Sequence, residues 1–264
     1  MGESAAVVLD FLRPSATWAP KHFRPSTWSE HVPFAFWLID VLRPKRLVEL
    51  GTWKGMSYLG FCQAIKELGT GTAAFAVDTW QGDSQTGLMG RGALRPLTAI
   101  NDEHYASFST LIRSTFDEAL TRFDTGTIDL LHIDGLHTYE AVRHDFETWS
   151  PKLANPAVVL FHDTRVVHPG YGVHKFWAEV SAGRPHFEFH HEHGLGVLGV
   201  GEGFPPELER LFAATHDPDK AALTRGLFAR LGRAVRGEQL GQDRGVKAYL
   251  GLVGLGARAK RLIR

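Results

Sequence analysis

Short apolar runs alternate with segments of helical periodicity along the first 200 residues of the chain. The apolar runs predict buried strands, and apolar residues spaced three and four apart predict the helices that follow them. The predicted strands are Arg46–Leu50, Ala73–Asp78, Thr110–Ser114, Ile128–Ile133 and Ala157–Phe161, followed by a hairpin of His186–His191 and Gly196–Val200. The predicted helices include Ser29–Leu42, Met56–Glu67, Phe116–Phe123 and Tyr139–Trp149. This alternation predicts an α/β fold with a doubly wound, mostly parallel, seven-stranded Rossmann-like sheet.

Two stretches fall outside this alternation. Residues 84–104 form a polar segment that is longer than an ordinary connection, which predicts either a functional lid or a disordered loop. Residues 205–264 predict basic helices that lie outside the core and are dispensable for the chemistry. The sequence therefore divides into an N-terminal aromatic cap segment and helix at 1–44, a core at 45–204 and a basic helical extension at 205–264.

Charge is distributed unevenly along this chain, whose net charge is zero. Residues 205–264 carry twelve Lys and Arg against six Asp and Glu, so the rest of the chain is acidic. This asymmetry favours a homodimer in which the basic extension meets the acidic core of a second copy. An anionic membrane surface or a solvated face are the alternatives. We expect no nucleic-acid partner.

The single cysteine and the terminal sequence bear on the compartment. Cys62 excludes an internal disulfide and lies in an apolar helix, which predicts a buried structural thiol. The N-terminus lacks the basic start and the long apolar core of a signal peptide. No apolar stretch is long enough to span a membrane. We therefore expect a cytoplasmic protein without a transmembrane segment.

A glycine turn follows the first predicted strand. Glu49 ends the strand, and Gly51 and Gly55 follow with the spacing E-x-G-x-x-x-G. Glycine permits close approach of the main chain to a ligand, because no Cβ intervenes. The spacing differs from the G-x-G-x-x-G of dinucleotide-binding turns. The turn predicts either a cofactor loop or a packing requirement.

Three polar residues near this turn are candidate cofactor contacts. Asp78, at the end of the second strand, offers a carboxylate for both hydroxyls of a ribose, or is an ordinary turn residue. Glu49 orients the glycine loop or a cofactor ammonium group, or only caps its strand. Ser57 opens a helix whose positive end favours a carboxylate, or is an ordinary first-turn serine.

Acidic residues and histidines follow two later strands. Asp134 ends one strand and the pair His162-Asp163 ends the next. Because the carboxyl ends of parallel strands meet at one edge of a sheet, these groups predict a divalent-cation site. The alternative is a carboxylate bonded to neighbouring main chain. His162 is an unusual ligand for Mg²⁺, so it either orients a ligand from outside or indicates Mn²⁺.

Histidines beyond Asp134 are candidate bases. His137, three residues further on, is placed to take a proton from a hydroxyl bound at the metal, and His144 is a second candidate. Either is alternatively a surface or capping histidine. The tract of His186, His190, His191 and His193 is interpreted as mainly structural, because alternation along a strand sends neighbours to opposite faces.

Aromatic residues next to the predicted site are the last candidates. Trp28, Trp80 and Tyr105 offer stacking faces for a sugar or are ordinary core residues.

These motifs together resemble those of metal-dependent class I O-methyltransferases. The resemblance is carried by Val48–Gly51, Ile133–Glu140 and Phe161–Thr164, and its closest branch includes macrocin and macrolide-sugar O-methyltransferases. It implies that Gly51, Gly55 and Ser57 contact S-adenosylmethionine (SAM) and that Asp78 binds its ribose. Asp134 is implied to contact both SAM and the metal. It also implies that Asp134 and Asp163 bind Mg²⁺ or Mn²⁺ and that His137 is the base. The chain departs from relatives that carry an Asp-Asp pair, because it has His162-Asp163.

A further resemblance concerns the substrate. Residues 22–26 and 170–173 resemble methyltransferase modules of polysaccharide assembly, including sugar methyltransferases that act at the reducing end of methylmannose polysaccharide. The expected function is SAM-dependent methyl transfer to a sugar hydroxyl, with a sugar or oligosaccharide as acceptor. A natural-product O-methyltransferase for a macrolide sugar or phenol, and a non-catalytic SAM-binding module, are the alternatives.

Overall fold

A seven-stranded β-sheet lies at the centre of the protein. The structure is a computed structural model that describes residues 11–83, 87–88 and 92–259. The strands of this sheet are β1 (Arg46–Leu50), β2 (Ala73–Asp78), β5 (Ser109–Arg113), β6 (Ile128–Ile133), β7 (Leu153–His162), β8 (His186–Phe189) and β9 (Leu195–Val200). Two short strands, β3 (Gly82–Asp83) and β4 (Gly87–Leu88), pair separately. The predicted seven-stranded α/β sheet is confirmed.

The order of the strands places a switch point in the middle of the sheet. The order is β5-β2-β1-β6-β7-β9-β8, and the first five strands in that order pair in parallel. β9 pairs antiparallel with both β7 and β8, as the predicted hairpin requires. The connections leave β1 and β6 in opposite directions, so ligands are expected beyond the carboxyl ends of these two strands.

Helices cover both faces of the sheet. They are α1 (Val32–Leu42), α2 (Met56–Leu68), α3 (Leu94–His104), α4 (Phe116–Ala119), α5 (Tyr139–Trp149), α6 (Val173–Ser181), α7 (Pro206–Ala214) and α8 (Pro218–Ala259). Alternate strand residues belong to two hydrophobic clusters, because successive side chains point to opposite faces. Leu47 packs with α1 and α2 on one face, and Val48 packs with α5 and α6 on the other.

The polar segment 84–104 is more ordered than the sequence predicts. Residues 94–104 form α3, in which Leu97 is buried and Asn101 accepts a hydrogen bond from Ser109. The alternative of a disordered loop is therefore wrong for residues 94–104, and the lid stays a prediction. Pro96 is compatible with the helix because it lies in the first turn. Residues 84–86 and 89–91 of the predicted lid lie outside the described residues.

The predicted basic extension contributes to the core. Leu208 and Leu211 of α7 and Phe228 of α8 are fully buried in the same cluster as Phe34 and Trp37 of α1. The prediction that residues 205–264 lie outside the core is wrong for these helices, whose apolar faces cover one side of the sheet. Residues 1–10 of the predicted cap segment and 260–264 of the extension lie outside the described residues.

Smaller differences concern the ends of elements. β7 begins at Leu153, earlier than predicted, and α4 ends at Ala119 and continues as a 3₁₀ turn over Leu120–Arg122. Within the described ranges, none of the helices combines the length and apolarity needed to cross a membrane.

Candidate active site

A cavity of about 430 Å³ lies at the switch point of the sheet. This volume is in the range of small-molecule sites, about 300–1,000 Å³. The ends of four strands line it with Gly51 after β1, Asp78 of β2, Asp134 after β6 and Asp163 after β7. The convergence that the sequence predicts for these strand ends is therefore present.

The glycine turn is required by its own packing. Gly51 has a φ of +85°, and a Cβ there would lie 2.0 Å from the main-chain oxygen of Asp134. Gly55 also has a positive φ of +84°, and a Cβ there would meet Leu97 at 2.6 Å. A side chain at either position would strain the main chain and separate packed elements. Gly51 lines the cavity, whereas Gly55 serves as the N-cap of α2.

Asp78 holds the loop that follows β1. Its Oδ2 accepts hydrogen bonds from the main-chain N–H groups of Thr52 and Trp53, both at 2.9 Å, and its Oδ1 accepts one from Trp80 at 2.6 Å. Oδ1 keeps a further lone pair, so a ribose hydroxyl that binds here shares an already organised acceptor. Asp78 therefore shapes the cavity wall and also faces the cavity.

Two groups next to the turn fit a polar ligand. The hydroxyl of Thr52 is buried and has no hydrogen-bond partner among the described residues, although Thr52 lines the cavity. Ser57 lines the cavity in the first turn of α2 and is 4% exposed. The positive end of this helix favours an anionic group such as a carboxylate. An unpaired buried hydroxyl beside a helix N-terminus fits the amino-acid end of SAM.

Glu49 lies beneath the cavity and supports its wall. Its Oε2 lies 2.8 Å from Nδ1 of His132, whose Nε2 lies 3.1 Å from the indole nitrogen of Trp28. Because an indole N–H only donates, Nε2 of His132 accepts and Nδ1 carries the hydrogen that Glu49 accepts. Burial raises the pKa of Glu49, and the bond from His132 opposes this. Glu49 does not line the cavity, and it reaches the lining through His132 with Trp28 and through a hydrogen bond with the hydroxyl of Ser57.

Two carboxylates and two imidazoles converge in the lining of the cavity. Nε2 of His137 lies 2.9 Å from Oδ2 of Asp163 and 3.6 Å from Oδ1 of Asp134. Nδ1 of His162 lies 3.0 Å from Oδ2 of Asp163 and 3.3 Å from Oδ1 of Asp134. Asp163 and His162 are buried, and Asp163 adopts a φ of +63° that turns its carboxylate into the cluster.

The charges of this cluster shift its pKa values strongly. Burial alone would raise the pKa of Asp134 and Asp163, but the neighbouring imidazoles, His162 first, hold both well below the ordinary value. Burial alone would lower the pKa of His137, but the two carboxylates outweigh it and raise that pKa to about 10. They raise the pKa of His162 in the same way. The cluster therefore favours positive charge between its carboxylates.

The same atoms fit a divalent cation. One ligand atom from each of Asp134, His162 and Asp163 lies within 4.8 Å of the other two. Neighbouring ligands of a cation bound at about 2.1 Å are about 3.0–3.4 Å apart, depending on coordination number. The separations of 3.0 and 3.3 Å from Nδ1 of His162 to the two carboxylates match that spacing. The predicted metal ligands thus meet in one place.

The loop after β7 positions His137. The ring of Tyr171 stacks on the imidazole with centroids 5.1 Å apart and planes inclined by 11°. The N–H of Gly172 donates to the main-chain oxygen of His137 at 2.7 Å. A Cβ at Gly172 would lie 2.3 Å from the main-chain nitrogen of Tyr139, so the loop packs closely on α5. Sequence analysis does not single out Tyr171, whose signal is an aromatic residue between two glycines.

His193 is a second residue that sequence analysis interprets differently. Its Nδ1 lies 2.8 Å from Oδ1 of Asp163, and it lines the cavity. It reaches the site because it lies in the turn between β8 and β9, at a φ of +70°. The argument from strand alternation does not apply to a residue in a turn.

His144 lies outside the cavity. Its side chain is 54% exposed, and Nε2 pairs with Oδ1 of Asp117 at 2.8 Å on the surface of α5. The helical spacing that favours His144 as a second base assumes that α5 begins before His137, whereas it begins at Tyr139. The structure therefore does not bring His144 to the site.

The other candidate residues divide between cavity and core. Trp28 lines the cavity, whereas Trp80 and Tyr105 are 3% and 2% exposed and pack in the core. Trp80 and Tyr105 are therefore core residues, and their predicted role as stacking faces for a sugar is wrong. Among the described residues, Trp53 and Tyr171 place aromatic rings in the lining instead. Cys62 is fully buried, and burial raises the pKa of its thiol to about 12. This agrees with a structural thiol.

Part of the chain matches known protein sequences. Residues 48–164, from β1 to the end of the acidic cluster, match a sequence family described as a methyltransferase domain. A protein of Sinorhizobium fredii (strain NBRC 101917 / NGR234), the uncharacterized protein y4gI, is 48% identical over 192 residues. That alignment covers 71% of this chain and 21% of the relative, so the chain spans about a fifth of the relative's length.

Solved structures share the fold. The chain has the Rossmann-like methyltransferase fold, with a TM-score of 0.51 to a candidate caffeoyl-CoA O-methyltransferase from Staphylococcus aureus. That match covers 69% of this chain and 86% of the other at 14% identity. The O-methyltransferase TomG from Streptomyces achromogenes, solved with SAM, gives a TM-score of 0.50 at 14% identity over 76% of this chain and 91% of its own. At these identities the likeness shows the fold alone.

Proposed function

We propose that the chain is a SAM-dependent O-methyltransferase that uses a divalent cation and acts on a sugar hydroxyl. The observation that carries this proposal is one cavity that joins two sites. Gly51 of the glycine turn and Asp78 line it, and so does the cluster of Asp134, His162 and Asp163. A methyl donor and a metal-bound acceptor that meet in one cavity are held for direct transfer. The methyltransferase family match over residues 48–164 supports the same activity.

The residues around the glycine turn form the proposed SAM site. Asp78 receives the ribose hydroxyls, and Thr52 and Ser57 receive the polar groups of the methionine portion beside the N-terminus of α2. Gly51 brings the main chain after β1 against that of Asp134, which holds the SAM site next to the metal site. Glu49 acts through His132, which holds Trp28 in the wall.

The acidic cluster accounts for activation of the acceptor. Asp134, His162 and Asp163 hold the cation, which when bound lowers the pKa of an acceptor hydroxyl. His137 takes the hydroxyl proton on Nε2. It acts as a base only when the charge of Asp134 and Asp163 is offset, because these carboxylates raise its pKa to about 10. The acceptor oxygen then bonds to the methyl carbon as the carbon–sulfur bond breaks, leaving a neutral thioether.

The proposed acceptor is a sugar or oligosaccharide of a polysaccharide or other glycan, including the 1-hydroxyl of a methylated mannoside. Neighbouring sugar hydroxyls suit a cation site, and Trp53 and Tyr171 place aromatic rings in the lining. A second candidate is a phenol or macrolide-sugar acceptor, which the apolar lining residues Met56, Phe116 and Leu136 favour. A homodimer stays a prediction that light scattering of the full chain tests.

Acceptor class is tested by following the labelled methyl group of SAM into a panel of products. The panel contains mono- and oligosaccharides, including mannosides, together with a catechol and a macrolide. The proposal expects labelled sugar ethers and no labelled catechol. Transfer only to the catechol or the macrolide would favour the second candidate. SAM binding without transfer to any compound, and with no effect of metal, would favour a non-catalytic module.

A further inference from the structure

Both ring nitrogens of His162 are directed by fixed neighbours. Nε2 lies 3.2 Å from the main-chain oxygen of Glu192, and the side chain is 2% exposed. Because a carbonyl oxygen only accepts, Nε2 carries a hydrogen and donates it. In the neutral imidazole, Nδ1 therefore directs a lone pair towards Oδ2 of Asp163 and Oδ1 of Asp134.

The carbonyl of Glu192 is held firmly in place. Glu192 and His193 adopt φ values of +45° and +70°, which are uncommon for residues with a side chain. The N–H of Arg165 donates to the main-chain oxygen of His193 at 2.8 Å, and His193 contacts Asp163. The carboxylate of Glu192 pairs with Arg236 of α8. Contacts on both sides of the turn therefore fix the tautomer of His162.

A lone pair that faces two carboxylate oxygens is repulsive, so Nδ1 of His162 needs either a proton or a metal cation between itself and these oxygens. Histidines that bind metals usually donate their other N–H to a main-chain carbonyl or a carboxylate, which sets the tautomer. His162 has this arrangement, with Glu192 as the acceptor. Its Nδ1 also has the ligand-to-ligand spacing that a bound cation requires. The same nitrogen is thus oriented as a metal ligand whenever it carries no proton.

We propose that His162 binds the cation directly through Nδ1 and that this nitrogen makes the site one for a first-row transition-metal ion, such as Mn²⁺ or Co²⁺, rather than for Mg²⁺. Imidazole suits transition metals, whereas Mg²⁺ prefers an all-oxygen shell and gives up water reluctantly. The inference rests on the proposed function, which places a divalent cation here, and it adds the class of metal and the atom that selects it.

Pulsed electron paramagnetic resonance of Mn²⁺ tests the nitrogen ligand without reference to activity. The full chain is stripped of metal and loaded with Mn²⁺. We expect couplings from a coordinated ¹⁴N nucleus in the wild type, their loss in His162→Asp, and their retention in the surface control His144→Gln. Absence of ¹⁴N couplings in the wild type overturns the proposal, and so does their persistence in His162→Asp.

Calorimetric titration of the same samples tests the selection. The His162→Asp substitution replaces a nitrogen by oxygen ligands, so it should shift the ratio of Co²⁺ to Mg²⁺ affinity towards Mg²⁺ by about tenfold or more. An unchanged ratio overturns the proposal. Binding of SAM is measured in parallel. Intact SAM binding and methyl transfer with an all-oxygen metal shell would reject this inference alone, whereas failure of SAM to bind would reject the proposed function.

Discussion

Nε2 of His137 lies 2.9 Å from Oδ2 of Asp163. This contact holds the imidazole beside the acidic cluster, and the stacked ring of Tyr171 covers its other side. A base at this position is within reach of a hydroxyl bound between Asp134 and Asp163. The geometry therefore places the proposed base directly against a proposed metal ligand.

Replacement of His137 tests the base. His137→Ala should lower turnover about 10²–10⁴-fold, because general-base catalysis contributes that much. Affinity for SAM should change little, since the imidazole pairs with the acidic cluster of Asp134 and Asp163. Single-turnover kinetics measure the first quantity and calorimetry the second. His144→Ala is the matched control and should keep normal turnover. Near-normal turnover in His137→Ala would remove this residue from the mechanism.

Asp78 should matter for SAM binding more than for the fold. Asp78→Ala removes the acceptor for three main-chain N–H groups and for the ribose, so SAM binding should weaken by about 1–3 kcal/mol. Hydrogen exchange of the Thr52 and Trp53 amides should accelerate, because both donate to Asp78. Asp117→Ala, on the surface, is the control. Unchanged SAM affinity in Asp78→Ala would contradict the assignment.

Asp145 should make stability depend on pH. Burial raises the pKa of its carboxyl from 3.8 to about 7. Between these values the folded protein binds more protons than the unfolded chain, so stability falls as pH rises and is constant above about 7. Asp145→Asn carries no charge and should be more stable than the wild type at pH 8 by about 1–3 kcal/mol.

Urea unfolding of Asp145→Asn and wild type at pH 5, 6, 7 and 8 measures this difference. The gain should grow from pH 5 to 7 and then level off. A gain that is the same at every pH would show that packing, not ionisation, separates the two proteins.

The helices after residue 204 should be needed for folding. Phe228 of α8 is fully buried and contacts the rings of Phe34 and Trp37, so Phe228→Ala should cost about 3–5 kcal/mol. Arg230→Ala, on an exposed position of the same helix, should cost little. Circular dichroism of a chain that ends at residue 204 should show loss of cooperative unfolding. A truncated protein that unfolds cooperatively and binds SAM would restore the independent extension predicted from charge.

The site could be predicted from the sequence where a polar side chain lies at the end of a parallel strand. Asp78, Asp134 and Asp163 follow parallel strands, so their convergence is a consequence of topology and can be predicted without coordinates. The same holds for the glycine turn, whose spacing follows a buried strand. The strands and helices could be predicted in outline because the apolar runs are short and well separated.

Residues that reach the site from distant parts of the chain could not be predicted in this way. His193 lies 30 positions from Asp163 and reaches it through a turn with three consecutive positive φ values, Glu192 to Gly194. The local sequence around His193 carries no sign of its partner. Trp28 reaches His132 across 104 positions for the same reason. The basic charge of residues 205–264 predicts that α8 lies outside the core, because the charge is more conspicuous in the sequence than the apolar face that carries Phe228.

Methyl transfer from labelled SAM before and after removal of metal is the most direct measurement of the central claim. The full chain is assayed with a sugar acceptor, treated exhaustively with chelator, assayed again, and then reconstituted with Mn²⁺ or Mg²⁺. Asp134→Asn and Asp163→Asn are assayed in parallel. The account predicts loss of transfer on chelation, recovery on reconstitution, and SAM binding without transfer in both variants. Full activity of the chelated protein, or of either variant, would contradict it.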